Sequence, residues 1–215
     1  MTTQPLSGGE AVLTERATRS LDRLREVMRV TELPAGLDAL AQSENAINDV
    51  YMNLNRQLQD GKVEQRTKLL VALGVAVACG SSRTADFFAH AAQAAGRTRE
   101  EVLDAIAVAT TCTIFNGYYR FRSQVPEDMA QAFEAFRAPF NANALVKSVL
   151  SQTEVEAICI AVSSANNCKK CVEGHLAKGR SLGLTDEQVD EIIKAGAVAQ
   201  AAAQAIAALT PPSMS

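Results

Sequence analysis

The chain has 215 residues, of which 47% are hydrophobic, 21% charged and 5% aromatic, and its net charge is -3. Such a composition is globular and long enough to bury a core, which excludes a disordered or fibrous chain. With 21 basic residues against 24 acidic ones, there is no basic excess for a phosphate backbone, so nucleic acid is not an expected partner.

In chain order, the residues read as helices throughout. Strand signals are nearly absent, and Ala, Leu, Glu, Gln and Arg are abundant, which are the strong helix formers. The first expected helix is Glu10 to Val30, with Val12, Leu13, Ala17, Leu21, Leu24 and Val27 near helical spacing. Further helices are expected at about 36–59, 64–79, 83–95, 99–115, 126–137, 153–164, 168–182 and 186–209. The longest apolar run, Leu69 to Cys79, is too short to span a bilayer and reads as a buried helix. The Ala-rich stretch Ala195–Leu209 is interrupted by Gln200 and Gln204 after Lys194, so close helix contact is expected there rather than a membrane.

A short internal repeat organises these elements. Gly96-Arg97-Thr98-Arg99-Glu100-Glu101-Val102 parallels Gly183-Leu184-Thr185-Asp186-Glu187-Gln188-Val189. Each Gly suits a left-handed helix end, each Thr an N-cap, and Glu101 or Gln188 would complete a capping box. The helix before each Gly carries one of the two histidines, His90 and His175. The expectation is one all-α domain over residues 1–215, with a degenerate first repeat at about 25–124 and a second at about 125–212. The halves differ in chemistry: Cys168 and Cys171 fall opposite Arg83 and Asp86, so only the second copy can do thiol work.

That second copy contains the informative segment, Glu156 to His175. A polar break, Ser163-Ser164-Ala165-Asn166-Asn167, separates two helical runs, with Asn167 as the expected N-cap. Cys168 would then sit in the first helical turn, where free N–H groups, the dipole and Lys169 and Lys170 favour a thiolate. Cys168, Cys171 and His175 should share one helix face. Glu156 lies among Val155, Ala157, Ile158 and Ile160. Burying a carboxylate there requires a partner, for which His175 is the candidate; a half-exposed Glu near a helix start is the plainer alternative. Cys79, Cys112 and Cys159 lie in apolar helical stretches and read as buried and inert. His90 has no accompanying cysteine and reads as packed or superficial. The five cysteines, an odd number, do not suit a secreted disulfide framework. The start Met1-Thr2-Thr3-Gln4-Pro5 has no leader pattern, so a reducing cytoplasmic setting is expected.

The pattern Glu-x11-Cys-x-x-Cys-x3-His, met by Glu156, Cys168, Cys171 and His175, resembles the signature of the alkylhydroperoxidase D (AhpD) family in the carboxymuconolactone decarboxylase superfamily. The resemblance extends over about residues 65–212, including Phe115 to Arg122 and the tail Ala197–Leu209. It implies an all-α, two-repeat AhpD-like bundle and a thiol-dependent alkyl hydroperoxide reductase. By this resemblance Cys171 would form the sulfenic acid. Cys168 would donate a proton and resolve it as a Cys168–Cys171 disulfide, with Glu156 and His175 relaying the proton. The dipole favours Cys168 as the lower-pKa thiol, and the sequence does not choose between the two. The implied electron donor is dihydrolipoamide, with no cofactor bound in this chain. Implied partners are alkyl hydroperoxides, a peroxiredoxin, and a lipoylated 2-oxo acid dehydrogenase component with dihydrolipoamide dehydrogenase. A homo-oligomer is also implied, a trimer being favoured. The sequence departs from the family at Lys170, where AhpD proteins often carry His, and its N-terminal sixty residues match only loosely. Two other readings stand beside this one. Glu156, Cys168, Cys171 and His175 could ligate zinc, or the chain could be a non-redox relative of the decarboxylases.

Overall fold

In the computed structural model, residues 12–134 and 139–209 are described, and no strand is present among them. Helices α4 (Gln65–Ala78) and α9 (Gln152–Ala165) are apolar on nearly every side, and both are buried along most of their length. A helix hydrophobic all round belongs inside a fold, and these two cross at its centre. Gly74 allows the crossing: a Cβ there would stand 2.8 Å from Ile158 Cγ2. Around this pair the two repeats are wrapped alike. Helices α5 (Ser82–Ala94) and α6 (Arg99–Gln124) pack on α4, while α10 (Lys169–Ser181) and α11 (Asp186–Leu209) pack on α9. Helix α11 also reaches α4, and α6 also reaches α9, so each repeat closes over the other's core helix.

The repeat joints have the expected form. Gly96 and Gly183 have φ of 93° and 97°, values that only glycine adopts without strain. Thr98 and Glu101 form a reciprocal capping box, and Thr185 and Gln188 exchange the same pair of bonds. The N-terminal helices α1 (Glu15–Met28), α2 (Ala35–Leu40) and α3 (Glu44–Gln57) complete the core with Leu21, Leu24, Met28, Leu37, Ile47 and Leu54. Gly36 lies directly under α11, where a Cβ would come within 2.6 Å of the Ile206 carbonyl oxygen. Short helices α7 (Glu127–Glu134) and α8 (Asn143–Val146) bridge the repeats.

Several boundaries differ from the sequence reading. The first helix begins only after Thr14, whose hydroxyl accepts from the Ala17 N–H, and Val12, 98% exposed, stands outside it. Residues 10 and 11 of that expected helix, and 135–137 of the one at 126–137, lie outside the described residues. The span 36–59 is two helices, divided at residues 41–43; this lets α2 turn under α11 while α3 lies along α1. The helix from Arg99 does not stop near Phe115 but continues to Gln124. Asn116, by propensity a poor interior residue, is held in place by tertiary hydrogen bonds that override the local preference.

Helix α11 is long and apolar enough by composition to cross a membrane. Here it is a core helix instead, burying Ile192, Ala195, Ala199, Ala202, Ala203 and Ile206.

Candidate active site

The site is built where α9 ends and α10 begins. Helix α9 runs through Ser163 and Ser164 to Ala165, so the expected five-residue break is only Asn166 and Asn167. Asn167 is not an N-cap: it takes the left-handed conformation, φ 52°, and closes α9. Asn tolerates that conformation better than most residues. The Cys168 N–H then donates to the Ser163 carbonyl at 3.0 Å, and Cys168 takes the N-cap position of α10 with no side-chain cap bond, one residue before the first turn expected for it. This puts Cys171 in the first helical turn, and the two sulfurs are joined as a disulfide with Cα atoms 5.4 Å apart. Both residues are buried, Cys168 at 1% exposure and Cys171 at 7%.

Glu156 has the partner its burial demands. It is 1% exposed, and its Oε2 accepts from His175 Nδ1 at 2.7 Å. Its Oε1 is paired at 2.7 Å with Lys178 Nζ, one turn beyond His175 on α10. Burial alone would raise the Glu156 carboxyl, but the His175 and Lys178 bonds outweigh it and hold the group below the usual carboxylate range. The half-exposed alternative for Glu156 is therefore set aside.

Cys171 and His175 open on a cavity of about 640 Å³, whose wall also includes Cys112, Phe115, Tyr119 and Lys170. Of the two lysines between the cysteines, only Lys170 lines this space, 5.8 Å over the Tyr119 ring; Lys169 turns to solvent beside Glu173. Arg122 and Lys178 are also in the wall, so the cavity pairs aromatic surface with cations.

Among the described residues, the structure gathers more of α6 than the sequence reading anticipated. Cys112 is buried but not isolated: its Sγ lies 3.4 Å from Ser163 Oγ and 4.0 Å from His175 Nε2. Asn116 Nδ2 donates to Ser163 Oγ at 3.0 Å, and Asn116 Oδ1 accepts from Asn166 Nδ2 at 3.0 Å. The Cys112 thiol is lowered to about 5, chiefly by the Cys159 thiol; burial opposes this, and His175 and Ser163 add to it. Cys159 moves well above its ordinary value, because Cys112 and burial both disfavour its thiolate. Burial would push the His175 imidazolium down, but Cys112 and Glu156 together raise it to about 9. His175 is thus held cationic near neutral pH and is placed to donate a proton.

Two further expectations are corrected here. Cys112 belongs to the site wall rather than to an inert core, for which local sequence carries no signal because its neighbours come from α9 and α10. Cys79 is exposed at the C-terminal end of α4, although its surroundings still raise the thiol. In this disulfide form the two sulfurs of the alternative zinc set, Glu156, Cys168, Cys171 and His175, bond each other, and Glu156 is engaged at both oxygens. In the first repeat, His90 is exposed with Nδ1 at 2.8 Å from the Asp86 carbonyl oxygen. Together with Arg83 and Asp86 it lines a separate cavity partly walled by residues 29–35.

Comparison with known proteins places the chain in a family. The sequence model of the carboxymuconolactone decarboxylase family matches residues 41–115 and 128–212. The alkyl hydroperoxide reductase AhpD of Anaeromyxobacter dehalogenans strain 2CP-1 is 32% identical over 171 residues, covering 79% of this chain and 89% of that protein. The alkyl hydroperoxide reductase AhpD of Methylocella silvestris is 28% identical, covering 82% of this chain and 97% of its own. That of Azorhizobium caulinodans is 29% identical, covering 84% and 94%. With one family segment falling on each helical repeat and relatives aligned over most of their length, the chain belongs to the AhpD family of the carboxymuconolactone decarboxylase superfamily.

Proposed function

We propose that this chain is an alkyl hydroperoxide reductase that cycles Cys168 and Cys171 between dithiol and disulfide and draws its electrons from dihydrolipoyl groups. The observation that carries the reading is the Cys168–Cys171 pair at the start of α10, beside a cavity shared with a Glu156-held imidazole. Cys171 is assigned the attack because it lines the cavity, whereas Cys168, at 1% exposure, is not among the lining residues.

The steps balance as follows. The Cys171 thiolate attacks the terminal oxygen of the hydroperoxide, the O–O bond breaks, and the alkoxide leaves as an alcohol after taking a proton. His175, held protonated by Cys112 and Glu156 together, is placed to supply that proton, and Glu156 keeps the ring oriented. The Cys168 sulfur then displaces water from the Cys171 sulfenic acid, closing the disulfide. Dihydrolipoamide reduces it by thiol–disulfide exchange, one lipoyl sulfur forming a mixed disulfide and the second releasing the enzyme dithiol. Lys170, Lys178 and Arg122 add positive charge that favours thiolates in this wall.

The physiological donor in this reading is a lipoylated 2-oxo acid dehydrogenase component, recharged by dihydrolipoamide dehydrogenase. A peroxiredoxin is the alternative acceptor of the electrons. The setting is cytoplasmic and the assembly a homo-oligomer, with a trimer favoured. The test is NADH oxidation in a mixture of this protein, lipoamide, dihydrolipoamide dehydrogenase and tert-butyl hydroperoxide. Turnover that requires both Cys168 and Cys171 supports the reading. Reduction by dihydrolipoamide without peroxide turnover makes the protein an adaptor to a peroxiredoxin. A disulfide that dihydrolipoamide does not reduce overturns the reading.

A further inference from the structure

Behind the dithiol, three helices place a second set of metal-binding atoms together. Cys112 from α6, Cys159 from α9 and His175 from α10 bring two Sγ atoms and a ring nitrogen within 4.8 Å of one another. Both cysteines are fully buried. The Nδ1 of His175 is occupied by Glu156 at 2.7 Å, which leaves Nε2 facing the Cys112 sulfur at 4.0 Å. Tetrahedral zinc, with Zn–S near ~2.3 Å and Zn–N near ~2.0 Å, sets two sulfurs ~3.8 Å apart and sulfur from nitrogen ~3.5 Å apart. From separations within 4.8 Å, the ligand atoms therefore need to close by at most about 1 Å between the sulfurs and about 1.3 Å between sulfur and nitrogen, within reach of changes in side-chain torsion.

We propose that Cys112, Cys159 and His175 form a three-ligand site for a thiophilic d-block cation, with Zn²⁺ as the ion of choice and the fourth position facing the cavity. Core packing needs neither thiols opposed across two helices nor an imidazole aimed at them. Glu156 completes the outer sphere in the usual way: a carboxylate on the far nitrogen of a metal-binding His fixes the tautomer and the ring plane. Ser163 Oγ, 3.4 Å from the Cys112 sulfur and itself anchored by Asn116, supports that sulfur from the side. Entry is available because Cys112 and His175 both line the cavity. On loading, both cysteines bind as thiolates and His175 through Nε2, and the protons they carry pass to solvent.

Binding does not depend on the proposed peroxidase reaction. One consequence does: a metal on Nε2 removes His175 from proton transfer, so zinc should inhibit turnover if that reaction is the right one.

The test is titration of the full-length chain with Co²⁺, followed by competition with Zn²⁺. It is run on wild type with its Cys168–Cys171 disulfide intact, and on a variant carrying Cys79→Ser, Cys168→Ser and Cys171→Ser. One Co²⁺ per chain is expected in both, with a thiolate-to-cobalt charge-transfer band and tetrahedral d–d bands, all displaced by Zn²⁺. Adding Cys112→Ser or Cys159→Ser should weaken the charge-transfer band and the affinity together. Glu156→Gln should lower affinity by about 10–100-fold while leaving the band in place. His175→Gln, at a partly exposed position, provides a loss-of-ligand variant if either buried serine disturbs folding, as judged by circular dichroism. Absence of the charge-transfer band, or binding that Cys112→Ser, Cys159→Ser and His175→Gln all leave unchanged, overturns the proposal.

Discussion

Replacing Glu156 by Gln separates the proton path from the fold. The carboxylate is 1% exposed and accepts two contacts at 2.7 Å, from His175 and from Lys178. Hydrogen bonds to charged groups contribute about 1.5–3 kcal/mol each, so their loss would cost roughly 3–6 kcal/mol if nothing replaced them. Two effects offset this loss. The amide oxygen can still accept from His175, retaining about 1 kcal/mol, and the desolvation penalty of a buried carboxylate, several kcal/mol, disappears. The Lys178 side chain is half exposed and regains water. Net stability should therefore fall by no more than about 2 kcal/mol by the same accounting. The chemistry has no such compensation. Without the negative charge the imidazolium loses one of the two groups that raise it to about 9, and a misplaced general acid costs about 10²–10⁴-fold in rate. Urea unfolding and the lipoamide-coupled NADH assay, run on the same preparation, would show a nearly native midpoint and a severely reduced kcat. A variant that keeps its midpoint and turns over within about threefold of wild type would refute the relay.

Other outcomes follow from separate parts of the structure. Cys168→Ser and Cys171→Ser should each abolish coupled turnover while leaving the helical circular dichroism intact. The disulfide closes so short a loop that its chain-entropy contribution is only about 2 kcal/mol; activity surviving either change would remove the dithiol cycle. Glu191 on α11 receives Lys68 Nζ at 2.8 Å and the backbone N–H groups of Lys62 and Val63, both at 3.0 Å. Burial would raise its carboxyl, but these three contacts lower it to about 2. Because the folded value lies below the unfolded one, the contribution is complete above about pH 4.3 and is lost as pH falls towards 2. Glu191→Ala leaves the Lys68 ammonium, 4% exposed, with only the Gln59 carbonyl, and should cost about 3–5 kcal/mol at pH 7. Its denaturation midpoint should also vary less than that of wild type between those pH limits, and an equal acid loss in both proteins would contradict the assignment. Gly36→Ala introduces a Cβ 2.6 Å from the Ile206 carbonyl oxygen and should destabilise by about 1–3 kcal/mol as α2 is forced off α11. An unchanged melting temperature would contradict the close packing of α2 on α11.

Much of this protein could be read without coordinates because the decisive signals are local. Helix propensity, the Gly96 and Gly183 stops and the two capping boxes depend on neighbours within a few residues, and they fixed the helical class and its duplication. The spacing of Glu156, Cys168, Cys171 and His175 pointed to the dithiol site in the same way. Tertiary structure decided what depends on distant partners. Asn116 stays helical because Ser163 and Asn166 bond it from another helix. Asn167, in the left-handed conformation, closes α9 instead of opening α10. Cys112 and Cys159 look like ordinary core thiols along their own helices, since a one-dimensional pattern reports which face is buried and not what it is buried against. Packing α6, α9 and α10 together turned that shared burial into chemistry, placing the two sulfurs beside an imidazole whose charge a buried carboxylate maintains.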